Sequence, residues 1–204
     1  TDHGFKTEGV MNIRLQGLEY NKLKSSLEQL TSVKAVTAAT HMPALGSNTT
    51  ANANLPGSED EVTISYIGVD LIYIRSMELN LLNGKNFPEI MPESEQFVII
   101  NQTACERFGW SKPIEAIGER LEVGDISLEI IGVIKDFHYE RLDESIGPMA
   151  LRYLPGAVNN AIVILDGSRP KEVIASVETA WKELTNRPFD YTFFKDDLRI
   201  SYVH

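Results

Sequence analysis

The chain has 204 residues, 43% apolar and 24% charged, enough for one large domain or two small ones with true cores. A formal net charge of −10 argues against a phosphate-binding face, and so against nucleic acid or anionic lipid as a partner. The single cysteine, Cys105, precludes an intrachain disulfide, and no apolar stretch reaches the ~20 residues needed to span a bilayer.

In chain order, residues 1–7 read as a polar, frayed lead with no signal-peptide pattern. Starting at Thr1, the chain reads as an excised fragment. Residues 9–15 alternate Val10 and Asn12 against Met11, Ile13 and Leu15, which predicts a half-buried strand. Residues 18–30 place Leu23, Leu27 and Leu30 at helical spacing. A second strand follows over 33–40, giving a β-α-β unit. Residues 41–57 are rich in Ser, Thr, Asn, Gly and Pro and predict a long loop with a short extended piece at its centre. Residues 62–69 alternate as a strand, and Asp70 is placed as the N-cap of a short helix bearing Leu71, Ile74 and Met77. Residues 79–87 end in a turn at Asn83-Gly84. After an acidic loop, Phe97–Ile100 form a buried strand, Asn101 caps a helix over 102–108, and Gly109 ends it. One further helical turn is expected over 114–117.

Residues 119–123 and 127–134 predict a hairpin around Gly124-Asp125. Its second strand, the β-branched run Ile130–Ile134, leaves through Lys135-Asp136-Phe137-His138-Tyr139-Glu140. That exit is the densest cluster of potentially reactive side chains in the chain. Residues 148–154 form another strand and 155–158 a connector. A strand follows over 160–165. Ser168 is placed as the cap of a helix that carries Pro170 in its first turn. The helix presents Val173, Val177, Ala180, Trp181 and Leu184 as one stripe. Residues 189–194 are the last strand, and 195–204 read as a polar tail.

The first and last segments share a plan: strand, glycine turn, amphipathic helix, a Leu-Thr end (Leu30-Thr31, Leu184-Thr185) and a strand. Two such units predict an α+β fold built on a ferredoxin-like split β-α-β sheet, with residues 41–158 as one large β-rich insertion. In that topology the chain ends lie together at one end of the sheet. The insertion emerges at the other end and is held away from them.

Six stretches in order then resemble a known family: HGFKTEGVMNIRL, MELNLLNGKNF, FVIINQTACERFGW, PIEAIGERL, EIIGVIKDFHYERLDESIGPMAL and WKELTNRPFDYTFFKDDLRISY. The chain is similar to the MacB-like periplasmic domain of FtsX/MacB-type ABC transporter permeases, in the form common in Bacteroidetes. The resemblance implies a porter-like lobe over 8–40 and 159–196, and a sabre-like inserted lobe over 41–158. It also implies a tail over 197–204 that leads to a missing transmembrane helix. It implies a periplasmic, non-catalytic domain of an inner-membrane protein that passes ATP-driven motion to an extracytoplasmic substrate or adaptor. The implied partners are a cytoplasmic ABC ATPase and a second permease copy. The ATP-binding motifs of such systems lie elsewhere, and this chain has no GxxxxGK[ST] motif.

The candidate reactive residues have plainer readings. Asp136, His138 and Glu140 stand at i, i+2 and i+4, so on a strand they share one face, as a metal or acid–base set would. Three ligands on one strand chelate poorly without help, and nothing places the other interior histidine, His41, near them. The resemblance makes GVIKDFHYERL a structural signature: Asp136 and His138 bond loop backbone while Phe137 and Tyr139 pack. Cys105 reads as core. Ser127 and the serines of 41–57 lack a GxSxG context. Trp110 covers a core edge, and Trp181 is helix core. The loop 41–57 fits a contact surface and a mobile connector equally well. No catalytic, cofactor-binding or metal residue and no cofactor is therefore assigned. The alternatives are a membrane-tethered ligand-binding sensor, which needs a deep pocket, and a metal-dependent enzyme using His138.

Overall fold

Eleven strands join into one hydrogen-bonded sheet in the computed structural model, which describes residues 2–45, 48–140, 144–167 and 170–201 (the side chains of 200 and 201 excepted). The fold is mixed α and β. The first part has the strand order β11-β1-β10-β2, all antiparallel: β1 (Val10–Arg14), β2 (Val33–Ala39), β10 (Asn160–Leu165) and β11 (Tyr191–Phe193). Helices α1 (Tyr20–Leu27) and α5 (Pro170–Leu184) cover one face. The pleat dictates which side chains meet them: Met11 and Ile13 point to Leu23, Leu27, Val177 and Trp181. Burying each large side chain of that stripe stabilises the fold by about 1.5–3 kcal/mol. The Trp181 indole N–H donates to the Arg187 carbonyl at 2.8 Å, so the ring is buried without an orphaned donor.

Strand β1 is buried on both faces, not half-buried. Its opposite face, with Val10, joins a second core containing Phe5, Tyr73, Ile99, Phe137 and Phe194. That core ties the sheet to the inserted segment.

The insertion contains β3 (Thr49–Asn54), β4 (Val62–Val69), α2 (Tyr73–Ser76), β5 (Leu81–Gly84), β6 (Phe97–Asn101), α3 (Gln102–Arg107), α4 (Pro113–Ala116), β7 (Arg120–Val123), β8 (Ile126–Ile134) and β9 (Met149–Tyr153). Strands β4-β3-β7-β8-β6-β9 pair in sequence, and a parallel β9–β4 ladder closes the ring (Ser65↔Met149 to Val69↔Tyr153). The β-rich insertion is thus a closed six-stranded barrel. Closure gives paired partners to backbone groups that an open edge would leave bare. A single residue pair, Ala39↔Val69, joins β2 of the sheet to β4 of the barrel.

Several expectations need correction. Residues 2–7 are not frayed: Phe5 is buried, and the Lys6 N–H donates to the Met77 carbonyl at 2.8 Å. Residues 195–201 are not a polar tail. They belong to α6 (Phe194–Ser201), which buries Phe194 and Leu198 beside β1. This helix also shortens the last strand to Tyr191–Phe193. Asn83-Gly84 is not a free turn but the end of β5 against β8. A Cβ at Gly84 would lie 2.1 Å from the Ile131 carbonyl oxygen, and its φ of +76° is left-handed. Asp70 does not cap α2, whose N-cap is Ile72. The proposed cap at Ser168 lies outside the described residues. The barrel is not held away from the chain ends: the His138 N–H donates to the His3 carbonyl at 3.2 Å.

Candidate functional site

The KDFHYE exit leaves β8 without secondary structure and runs between the N-terminal segment, α3, Ala44 and Asn48. Its aromatic residues do the packing. Phe137 stands edge-on to Phe5 at 5.8 Å and to Tyr139 at 6.0 Å, and Phe5 meets Phe194 of α6 at 5.5 Å. Gly4 makes this approach possible: its φ is +79°, and a Cβ there would be 2.9 Å from that of Phe137. Both chain ends and the barrel therefore meet in one aromatic cluster. The Glu8–Lys195 pair at 2.6 Å adds a surface contact between the same ends.

The acidic and imidazole members of the exit do not converge. Asp136 turns to α3, where its carboxylate accepts from the Thr103 N–H at 3.0 Å and the Thr103 hydroxyl at 2.7 Å. Glu140 accepts from Asn48 at 2.7 Å and from Ser65 of β4 at 3.1 Å. The Nδ1 atom of His138 is buried without a partner. His41 instead lies beside the Thr40 hydroxyl at 3.1 Å, and burial lowers its pKa. Among the described residues no cluster of three or more His, Cys, Asp or Glu side chains has a metal-holding arrangement. The burial of Phe137 and Tyr139 follows the plainer reading, but Asp136 bonds the first turn of helix α3 and not loop backbone, and the His138 imidazole does not bond loop backbone through Nδ1.

The other candidates settle individually. Cys105 is buried in the barrel core, and burial pushes its thiol pKa up to about 11, so little thiolate forms at neutral pH. Ser127 accepts a hydrogen bond from Arg120 across the β7–β8 hairpin at 2.9 Å. Trp110 tilts against Phe108 at 5.9 Å at the margin of the barrel core. The centre of loop 41–57 is strand β3, paired on both edges, and Ala44 at the loop's start is buried.

One polar constellation has no counterpart in the sequence reading. Asp70, the residue after β4, is largely buried where sheet and barrel join. Its Oδ1 accepts from the Thr37 hydroxyl of β2 and from the Ile72 N–H at 3.2 Å. Its Oδ2 accepts from the Tyr20 hydroxyl of α1 at 2.9 Å. Burial raises the Asp70 pKa, against the opposing pull of these bonds and of Lys24. Burial and the neighbouring carboxylate raise that of Tyr20. Residues 20, 37 and 70 meet only through strand pairing. The one local signal is a carboxylate placed directly after an apolar strand. A cleft of about 300 Å³ opens beside it, lined by residues of α1, the Asp70–Ile72 segment, β9 and the connector after β9. Among the described residues no helix is long and apolar enough to cross a membrane.

Solved structures share this architecture. The periplasmic region of MacB from Actinobacillus actinomycetemcomitans superposes with a TM-score of 0.70 at 13% identity, over 100% of this chain and 97% of that one. The extracellular domain of the noncanonic ABC-type transporter YknZ from Gram-positive bacteria gives 0.63 at 14% identity, over 90% and 98%. A domain of a putative permease protein from Porphyromonas gingivalis gives 0.61 at 14% identity, over 92% and 89%. No curated protein matches the sequence. The sequence profile of the MacB-like periplasmic core domain matches residues 5–180, most of the length, across both sheet and barrel. The chain accordingly belongs to the MacB-like periplasmic core domain family, the extracytoplasmic domains of MacB-type ABC transporter permeases.

Proposed function

We propose that this domain is a non-catalytic mechanical element: it carries ATP-driven motion of a permease to a substrate or adaptor outside the membrane. The observation that supports the reading best is the Phe5–Phe137–Phe194 cluster. Through it, displacement of either chain end pulls directly on the barrel, because close-packed aromatic side chains transmit strain. The antiparallel order β11-β1-β10-β2 with α1 and α5 on one face supports reading residues 8–40 and 159–196 as a ferredoxin-like, porter-like lobe. Residues 41–158 are then the sabre-like lobe. The cytoplasmic ATPase and a second permease copy are the partners this mechanism requires.

The test uses the complete permease assembled with its ATPase, spin-labelled at Asp196 near the chain end and at Lys112 on the barrel. Both side chains are exposed. On ATP turnover, the Lys112–Lys112 distance between the two copies should change while the Asp196–Lys112 distance within a copy stays fixed. An unchanged distance between copies would refute transmission. A second reading, a ligand-binding sensor, is favoured by the cleft beside Asp70.

A further inference from the structure

Asp70 is a partly buried carboxylate with no charge partner at ion-pair distance among the described residues. The nearest cationic influence is Lys24, which acts on it at longer range. Lys24 is itself paired with Glu28 at 3.8 Å and stands 5.9 Å above the Tyr20 ring. Two hydroxyls and one backbone N–H use three of the carboxylate's roughly four acceptor positions. An asparagine would keep the bonds from Thr37 and Ile72 at its Oδ1 and would donate its Nδ2 to the Tyr20 hydroxyl, which also donates to the Val36 carbonyl, without the desolvation cost of a charge. A partly buried charge that its hydrogen bonds do not require marks a candidate binding site.

The cleft beside Asp70 has the remaining chemistry. Tyr20 and Tyr153 contribute aromatic rings, and Leu71, Pro155 and Val158 an apolar wall. The carboxylate of Glu19, paired with Lys22 at 3.7 Å, stands at the same cleft. Two carboxylates, aromatic faces and an apolar wall outweigh the single ammonium of Lys24, which also lines the cleft, and together favour a cation over an anion. The position of Lys24 over Tyr20 already shows a cation at one of these rings. A volume of about 300 Å³ suits a small ligand or the end of a larger one.

We propose that this cleft binds a small organic ammonium, a primary amine on an aliphatic stem. Its N–H groups bond the open position on Asp70 Oδ2, and its stem lies along Leu71, Pro155 and Val158. The ligand would touch α1 of the sheet, and on the barrel side both the segment after β4 and the end of β9. It would therefore bridge the β2–β4 joint, where Ala39 pairs with Val69 and the Thr40 and Asp70 N–H groups donate to the Gly68 and Ala38 carbonyls. The binding claim stands apart from the mechanical reading, because it is measured on the domain alone, without ATPase or membrane.

The experiment is a ¹⁵N–¹H NMR titration of the 204-residue chain with n-butylammonium chloride. Its neutral counterpart 1-butanol and the quaternary choline are run in parallel. Butylammonium should give saturable shifts at Tyr20, Ala38, Asp70 to Ile72 and Val158, with a Kd in the roughly millimolar range expected of so small a ligand. Binding of 1-butanol should be about tenfold weaker or more, because the charged hydrogen bond is lost. Choline, which has no N–H, should also bind more weakly. Asp70→Asn should abolish the butylammonium shifts while the protein stays folded. Lys24→Gln, a change on the helix surface, should tighten binding by about threefold by removing a competing ammonium. Equal binding of 1-butanol or choline, retained binding in Asp70→Asn, or unchanged or weaker binding in Lys24→Gln would overturn the proposal, as would the absence of saturable shifts at these residues.

Discussion

Asp70 also governs how stability depends on pH. Its pKa is raised in the fold, so the native state holds the proton more tightly than the unfolded chain. Its contribution is fully present below the unfolded value of 3.8 and is lost as pH rises through the raised folded value. The charged and titratable neighbours are Tyr20 and Lys24 of α1, Glu19 just before it, Tyr73 of α2 and Tyr153 of β9. Thr37 of β2 does not titrate. Asp70→Asn should therefore raise the urea midpoint at pH 7 and have a smaller effect near pH 4. A second buried charge, Arg152, is differently provided for. It makes a two-pronged pair with Glu95 at 2.7 and 2.5 Å and lies 4.7 Å from the Tyr66 ring centre. Both side chains are about one-tenth exposed, so solvent screens the pair little. Glu95→Ala strands the guanidinium and should cost about 3 kcal/mol in urea denaturation. Asn101 shows how far a sequence reading of one residue reaches. Its capping of α3 is legible, and its side chain does accept from the Ala104 N–H at 2.9 Å. Its bonds to Met149 and Gly147, 48 and 46 residues away, are not legible, because only the long-range β6–β9 pairing brings those residues alongside it.

Strong periodicity made several elements readable. The Leu23/Leu27 and Val173/Val177/Trp181 stripes repeat at helical spacing and are buried as that spacing requires. Strand β8 is a β-branched run because it is buried on both faces while pairing with β5, β6 and β7. Elements at the chain ends were not readable. Helix α6 carries Asp196 and Asp197 in its first turn and reads as polar, yet Phe194 and Leu198 lie on one face and are buried. The polar lead before β1 likewise contributes one aromatic, Phe5, to the shared core. A lone aromatic in a polar segment has no period to reveal it. Phe5→Ala should destabilise the domain by about 3 kcal/mol, read from its urea midpoint. In the assembled permease it should also reduce transport per ATP hydrolysed more than it reduces hydrolysis itself.

Across the whole molecule, the core containing Phe5, Ile99, Phe137, Ile162 and Phe194 draws residues from sheet, barrel and both ends. Sheet and barrel should therefore unfold together. Near-ultraviolet and far-ultraviolet signals should give one coincident urea transition. Two transitions would mean that the β2–β4 joint and this core do not couple the parts.

What the sequence by itself determined was the type and order of most elements, the β-α-β plan at both ends and the family signature. Those features depend on residues near one another along the chain, where side-chain period and turn chemistry act locally. The sequence read an extended piece at the centre of 41–57, where Ala51 and Ala53 alternate with Asn52 and Asn54; only the tertiary structure decided its partners, β4 and β7. Only the tertiary structure closed the barrel, folded the chain ends onto it and brought residues 20, 70 and 153 around one cleft. A backbone edge or an isolated aromatic is stabilised by whatever lies opposite it in space, and local sequence does not record that neighbour.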